Sequence, residues 1–164
     1  MFFDESDCKY AVIYPISPEL IGRITGKRNV FCKYIGKPQR TRICKGTKLM
    51  FYASGGSYEV TGEATVRQVD LLSPADAVGR YRDRLFISKS ELDDYTRKFL
   101  RPNGALMLVL VLAEIRRYKT PIKLPKPVTM AGLSLTKEKY ETLTQGGPAS
   151  AIPGYSEDSR LQGP

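Results

Sequence analysis

Five side chains able to grip a nucleotide fall close together in the stretch Ile24-Thr-Gly-Lys-Arg-Asn-Val-Phe-Cys-Lys-Tyr34. Lys27 and Arg28 supply charged donors, Asn29 an amide, Phe31 a ring and Lys33 a third cation. Residues 29–35 read as a strand, which turns Asn29, Phe31, Lys33 and Ile35 to one face and Val30, Cys32 and Tyr34 to the other. Phosphate contact uses such cations, base-edge reading uses amides and guanidinium forks, and a ring beside a cation suits base stacking. Arg28 and Asn29, with Ser54 and Glu63, are expected to line a base pocket, and Phe31 is the stacking ring. Glu63 is the only acid in residues 61–69. It can accept from the exocyclic amine of a base or serve as a general base. Ser54 opens Ser54-Gly-Gly-Ser57, a hairpin-turn pattern.

Charge points to the same region. Of 26 Lys and Arg, nine lie between Leu20 and Tyr58 with none of the 17 acids, so the formal net charge of +9 belongs to this window. Arg23, Lys27 and Lys33, then Lys37, Arg40 and Arg42 in the loop of residues 37–48, are expected to meet backbone phosphates. RNA, or a modified nucleotide within it, is the expected partner. Tyr81-Arg-Asp-Arg84 suits either a backbone clamp or local ion pairs.

The same composition excludes other chemistry. There is no histidine, and the three cysteines (Cys8, Cys32, Cys44) form no C-x-x-C pair. The chain therefore lacks a zinc-ligand set and the usual base of a Ser or Cys hydrolase. No metal and no cofactor are expected, since glycine-rich phosphate loops are missing. Any catalysis would fall to Lys, Tyr, Thr or carboxylates. The cysteines read as reduced thiols of a cytoplasmic protein. The acidic N-terminus is unlike a signal peptide, and the longest apolar run, residues 105–113, is too short to cross a bilayer.

These side chains need a scaffold, and one domain over residues 1–145 with a disordered tail over 146–164 is the expected plan. Strands are read at 9–16, 29–35, 47–54, 58–69 and 105–118, the last apolar enough to be covered on both faces. Gly62 and Ala64 mark a tight bend or close backbone approach in the fourth. Helices start at Ser17-Pro-Glu19, Ser73-Pro-Ala-Asp76, the capping box Ser88-Lys-Ser-Glu91, and Thr136. Leu135 and Tyr140 stand as a hydrophobic staple. Three prolines between Pro121 and Pro127 fix an extended segment. The fold class is α+β: a small, mostly antiparallel pseudo-barrel of about five strands with short flanking helices.

Beyond these readings, Ile-x-x-Gly-Lys-Arg-Asn-Val-Phe-x-Lys, then Lys-Gly-x-x-Leu-x-Phe-Tyr-x-Ser and Gly-Glu-Ala-x-Val, resembles the PUA-like superfamily, nearest its ASCH and EVE branches. With Tyr-Arg-Asp-Arg-Leu-Phe-Ile-Ser-Lys-Ser-Glu-Leu and Pro-Val-Thr-Met-Ala-Gly, the pattern over residues 8–145 looks like an archaeal family of unestablished function. The resemblance implies a pseudo-barrel binding RNA or a modified base in a cleft between helix and sheet; the leading expectation for this chain is such binding without catalysis. One branch of the superfamily holds small amidohydrolases of acetylated cytidine, with the motif Gly-(Arg or Lys)-Lys-Thr-x-Thr-x-Arg. Aligned on Gly26, that motif puts Arg28 where the catalytic lysine stands, Phe31 in place of the catalytic threonine and Lys33 on the last arginine. Arg28 cannot release a proton near neutrality. A hydrolase reading would instead use Lys27 with Glu63. A third reading is an adaptor whose basic surface meets an acidic protein.

Overall fold

The apolar segment near the start of the chain forms β1 (Ala11–Ile16), and alternation along it feeds both sides of a sheet. Val12, Tyr14 and Ile16 enter one buried cluster, Ala11 and Ile13 another. The computed structural model describes residues 8–34, 42–56, 58–99, 106–129 and 132–145. Ser17 caps α1 (Pro18–Arg23) by accepting from the Leu20 N–H at 3.4 Å, and Pro18 sits in the first turn, where its missing N–H is no loss. Strands β2 (Val30–Tyr34), β3 (Lys48–Ala53) and β4 (Glu59–Leu72) follow. Ser73 caps α2 (Pro74–Tyr81), and a single 3-10 turn covers Arg82–Arg84. The capping box forms at the start of α3 (Lys89–Phe99): Ser88 Oγ accepts from the Glu91 N–H at 3.1 Å, and Glu91 Oε1 accepts from the Ser88 N–H at 2.8 Å. Strands β5 (Met107–Lys123) and β6 (Leu133–Leu135) precede α4 (Lys137–Thr144), which Thr136 caps.

Six strands make one curled half-barrel sheet in the order β2-β5-β4-β3-β1-β6. Among the strand pairs of the described residues, only β1 with β3 is parallel. This is the small, mostly antiparallel α+β pseudo-barrel that the pattern indicated. Leu49, Phe51 and Ala53 join the first cluster and Met50 and Tyr52 the second, so the two cores lie on opposite faces. The first six residues of β5, 107–112, are buried throughout, as its unbroken apolar run requires.

Three features depart from expectation. A sixth strand, β6, pairs three residues with Ala11–Ile13, too few to leave a periodic signal. Strand β5 runs on through Pro121 to Lys123, past the end expected at residue 118. The register jumps there from Val60↔Ile122 to Gly62↔Arg117, so the proline falls in a bulge that asks for no ladder N–H. Cys8 and Cys44, expected as reduced thiols, form a disulfide with Cα atoms 5.7 Å apart. Tertiary bonds make them neighbours: Lys9 N–H donates to Arg42 O at 2.8 Å, and Thr47 Oγ1 donates to Lys9 O at 2.7 Å while accepting the Cys44 N–H at 3.1 Å. Cys32 is a buried free thiol.

Candidate functional site

Strand β2 ends the sheet on one side, and a second extended segment lies along it: Val30 bridges Leu85, and the Phe86 N–H donates to Val30 O at 2.9 Å. Where these meet the end of β1, the start of α1 and α3, a cavity of about 430 Å³ opens. Phe31, Cys32 and Lys33 of β2 line it with Ile16, Ser54, Phe86, Ile87, Glu91 and Tyr95.

Its chemistry is a ring-walled seat with one cation. Phe31 packs 6.2 Å from Tyr14, nearly parallel at 13°, and 5.0 Å from Phe86. Lys33 lays its Nζ 3.9 Å from the centroid of Tyr14. Burial brings the Lys33 ammonium down to about 8, and it pushes the Tyr14 hydroxyl up to about 12. The Cys32 thiol is likewise pushed up to about 12 by burial, which makes it a packing group rather than a nucleophile. Glu91, at the start of α3, grips Arg23 and takes the Ser88 N–H. The Arg23 hydrogen bond, with the Ser88 N–H, draws its carboxyl down to about 2. Arg23 also bonds Glu19 at 2.9 Å. Its guanidinium, expected at phosphate, is thus bonded within the fold to two carboxylates.

The expected base pocket of Arg28, Asn29, Ser54 and Glu63 is not assembled; the four lie in different places. Ser54 shares the cavity with Phe31 and Lys33. Asn29 is buried, giving its amide N–H to Leu112 O at 3.0 Å and accepting from Arg84 Nε at 3.2 Å. Arg28 donates Nε–H to Leu85 O at 3.0 Å and lines a separate cleft of about 580 Å³ with Arg82, Asp83, Ser88 and Lys89. Glu63 is sealed beside α4. Its carboxylate accepts from Tyr118 Oη at 2.6 Å, Tyr140 Oη at 2.7 Å and an Arg116 guanidinium N–H at 3.0 Å. Burial pushes that carboxyl up, but these three donors together hold it below its ordinary value.

The pairing of Lys27 with Glu63 that a hydrolase would use is not formed either. Lys27 is exposed in the turn after α1, where Thr25 Oγ1 accepts its N–H at 3.3 Å. Arg42 is exposed. Lys37 and Arg40 fall outside the described residues. Sequence reasoning missed Tyr14, Phe86, Glu91 and Tyr95 as parts of the seat. The only local signal was apolar Phe86-Ile87 between a charged turn and a capping box, a place where neither residue belongs to a periodic element.

A family model described as "Domain of unknown function (DUF365)" matches residues 9–137. The uncharacterized protein MJECS03 of Methanocaldococcus jannaschii is 24% identical over 103 residues, which span 58% of this chain and 95% of that protein. Among solved structures, the ASCH protein of Zymomonas mobilis superposes with a TM-score of 0.68 at 18% identity, covering 87% of this chain and 96% of that one. The N-terminal domain of Staphylothermus marinus McrB gives 0.57 at 17% identity, covering 85% and 96%. At these identities the likeness is one of fold.

Proposed function

The chain belongs to the DUF365 family, a domain of unknown function, and we propose that it is a non-catalytic RNA-binding protein that seats one base, plain or modified, in the cavity beside β2. The observation that carries this is the joint presence of a buried ring and a cation in one hollow of about 430 Å³, a size that suits a single small ligand. Single-stranded RNA is read by splaying a base out, stacking it against rings and bonding its edge. Here the base would lie against Phe31, Phe86 and Tyr95, with Lys33 Nζ and Ser54 Oγ at its edge. The resemblance to PUA-like domains implies the same class of ligand. No described helix is long and apolar enough to cross a membrane.

The test is titration of labelled single-stranded RNA into wild type and Lys33→Met, with crosslinked RNA sequenced from cells to identify the base. A charged hydrogen bond contributes about 1.5–3 kcal/mol, so the variant should bind roughly tenfold weaker or worse. RNA binding should fall with salt, at a log–log slope of about −3.5 if about five phosphates are engaged. Equal affinity of the two proteins, or a slope near zero, overturns the reading. Turnover of acetylated cytidine by the wild type would move it to a hydrolase.

A further inference from the structure

Base seating leaves the second cleft, behind the segment that carries Phe86, without a role. We propose that this cleft holds backbone phosphates of the same RNA strand, making a two-part track in which the base enters one cavity and the flanking phosphates lie in the other. The proposal rests on the base-seat reading above.

Three cations reach the cleft from three different elements: Arg28 from the turn before β2, Arg82 from the 3-10 turn and Lys89 from the first turn of α3. Asp83 is the one acid in its wall, and Lys89 Nζ lies 3.7 Å from Asp93 in an exposed pair one helical turn on. The Leu85 carbonyl fixes Arg28 through its Nε–H, which orients the guanidinium fork without neutralising it. Arg82 has φ +42, a backbone region that side-chain-bearing residues rarely adopt, and its N–H is anchored on Val78 O. Such conformations persist where the surroundings impose them and cluster at ligand sites. The nearby Arg84 differs: its Nε–H is given to Asn29 and its fork lies 5.5 Å from the ring centroid of Tyr81.

The two cavities share a wall, and that makes them one track rather than two sites. Ile87 lines both, with Phe86 turned to the first and Leu85 to the second. A strand that places its base beside Phe86 has only to cross Ile87 to bring its next phosphates among the three cations. Phosphate contact positions a strand without reading it, which leaves discrimination to the base seat.

Arg82 and Lys89 are exposed, so Arg82→Gln with Lys89→Gln should fold as wild type does. The control is Lys123→Gln with Lys139→Gln, an equal loss of charge on β5 and α4. Each protein is titrated with a pool of single-stranded RNA oligomers, and with mononucleotides, across a salt series. At about 0.7 of slope per phosphate, the cleft variant should lose about 1.4 from the log–log slope. Its affinity gap to wild type then narrows roughly sevenfold between roughly 50 and 200 mM salt. The control should keep the wild-type slope. If Lys33→Met weakens binding while the cleft variant keeps the wild-type slope, the track is wrong and the base seat stands. An equal slope change in the control, or mononucleotides binding wild type as tightly as the oligomers, also overturns the track. Absence of any RNA binding by wild type overturns both.

Discussion

At the scale of single residues, Lys33 shows how burial turns an ordinary cation into one that titrates near neutrality. With its ammonium at about 8, the charge that meets RNA is present below that pH and fades above it. RNA affinity should therefore drop as pH rises from 7 to 9, and Lys33→Met should lose that dependence; a wild-type affinity flat over this range would show that Lys33 makes no contact. Stability runs the other way. A lysine whose folded value is depressed adds stability above its unfolded value, and that contribution is lost as pH falls through about 8. Glu63 has the same sign at the acid end: its folded value lies below the ordinary one, so its contribution is full at neutral pH and is lost as pH falls through the folded value. Glu63→Gln should cost about 1–3 kcal/mol in urea unfolding at neutral pH, with the gap closing in acid. An unchanged midpoint would mean that the three donors are satisfied without the charge. The sequence made Glu63 conspicuous as a lone acid. Its donors stand 53, 55 and 77 residues away, so that acid looked available when it was already bound.

At the scale of elements, local signals proved readable and pairings did not. Each helix begins at its Ser or Thr cap because the cap and the first turn are chemically complete within four residues. Phe31 and Lys33 share a face because alternation in a strand needs no distant information. What escaped was whatever depends on a partner distant in sequence: β6, the bulge at Pro121, and the Arg23 guanidinium, taken up by Glu91 from α3. Gly62 is the case where a local reading and a pairing agree. The pattern marks a tight bend or a close backbone approach there, and a Cβ on Gly62 would stand 2.5 Å from Arg116 O on β5. That neighbour is backbone in a paired strand and cannot swing aside. Gly62→Ala should destabilise by about 1–3 kcal/mol in denaturant melts, by forcing β4 and β5 apart at their bulge. An alanine variant as stable as wild type would show that the bulge relaxes freely.

At the scale of the whole molecule, the charge count overstates how many cations between Leu20 and Tyr58 carry no partner acid. Of the nine cations between Leu20 and Tyr58, Arg23 is neutralised by Glu19 and Glu91, acids that lie outside the window. The disulfide is the other global feature, and it joins the start of the described chain to the end of the basic loop. Cys8 and Cys44 are 36 residues apart, and the closed segment contains β1, α1, β2 and most of the window's cations. Nothing local marks the pair, because proximity comes from Thr47 and Arg42 meeting Lys9 across the fold. Closing a loop of this length removes denatured-state freedom equivalent to about 4 kcal/mol in the chain-entropy account. Reduction with dithiothreitol, or Cys44→Ser, should lower the unfolding free energy by about 2–4 kcal/mol with the same native fold. Free Cys32 is too buried and too weakly acidic to substitute for either partner. Thiol titration of the unfolded, unreduced protein should therefore find one reactive group, and three after reduction. Three thiols before reduction would dismiss the bond and restore the reading of reduced cysteines.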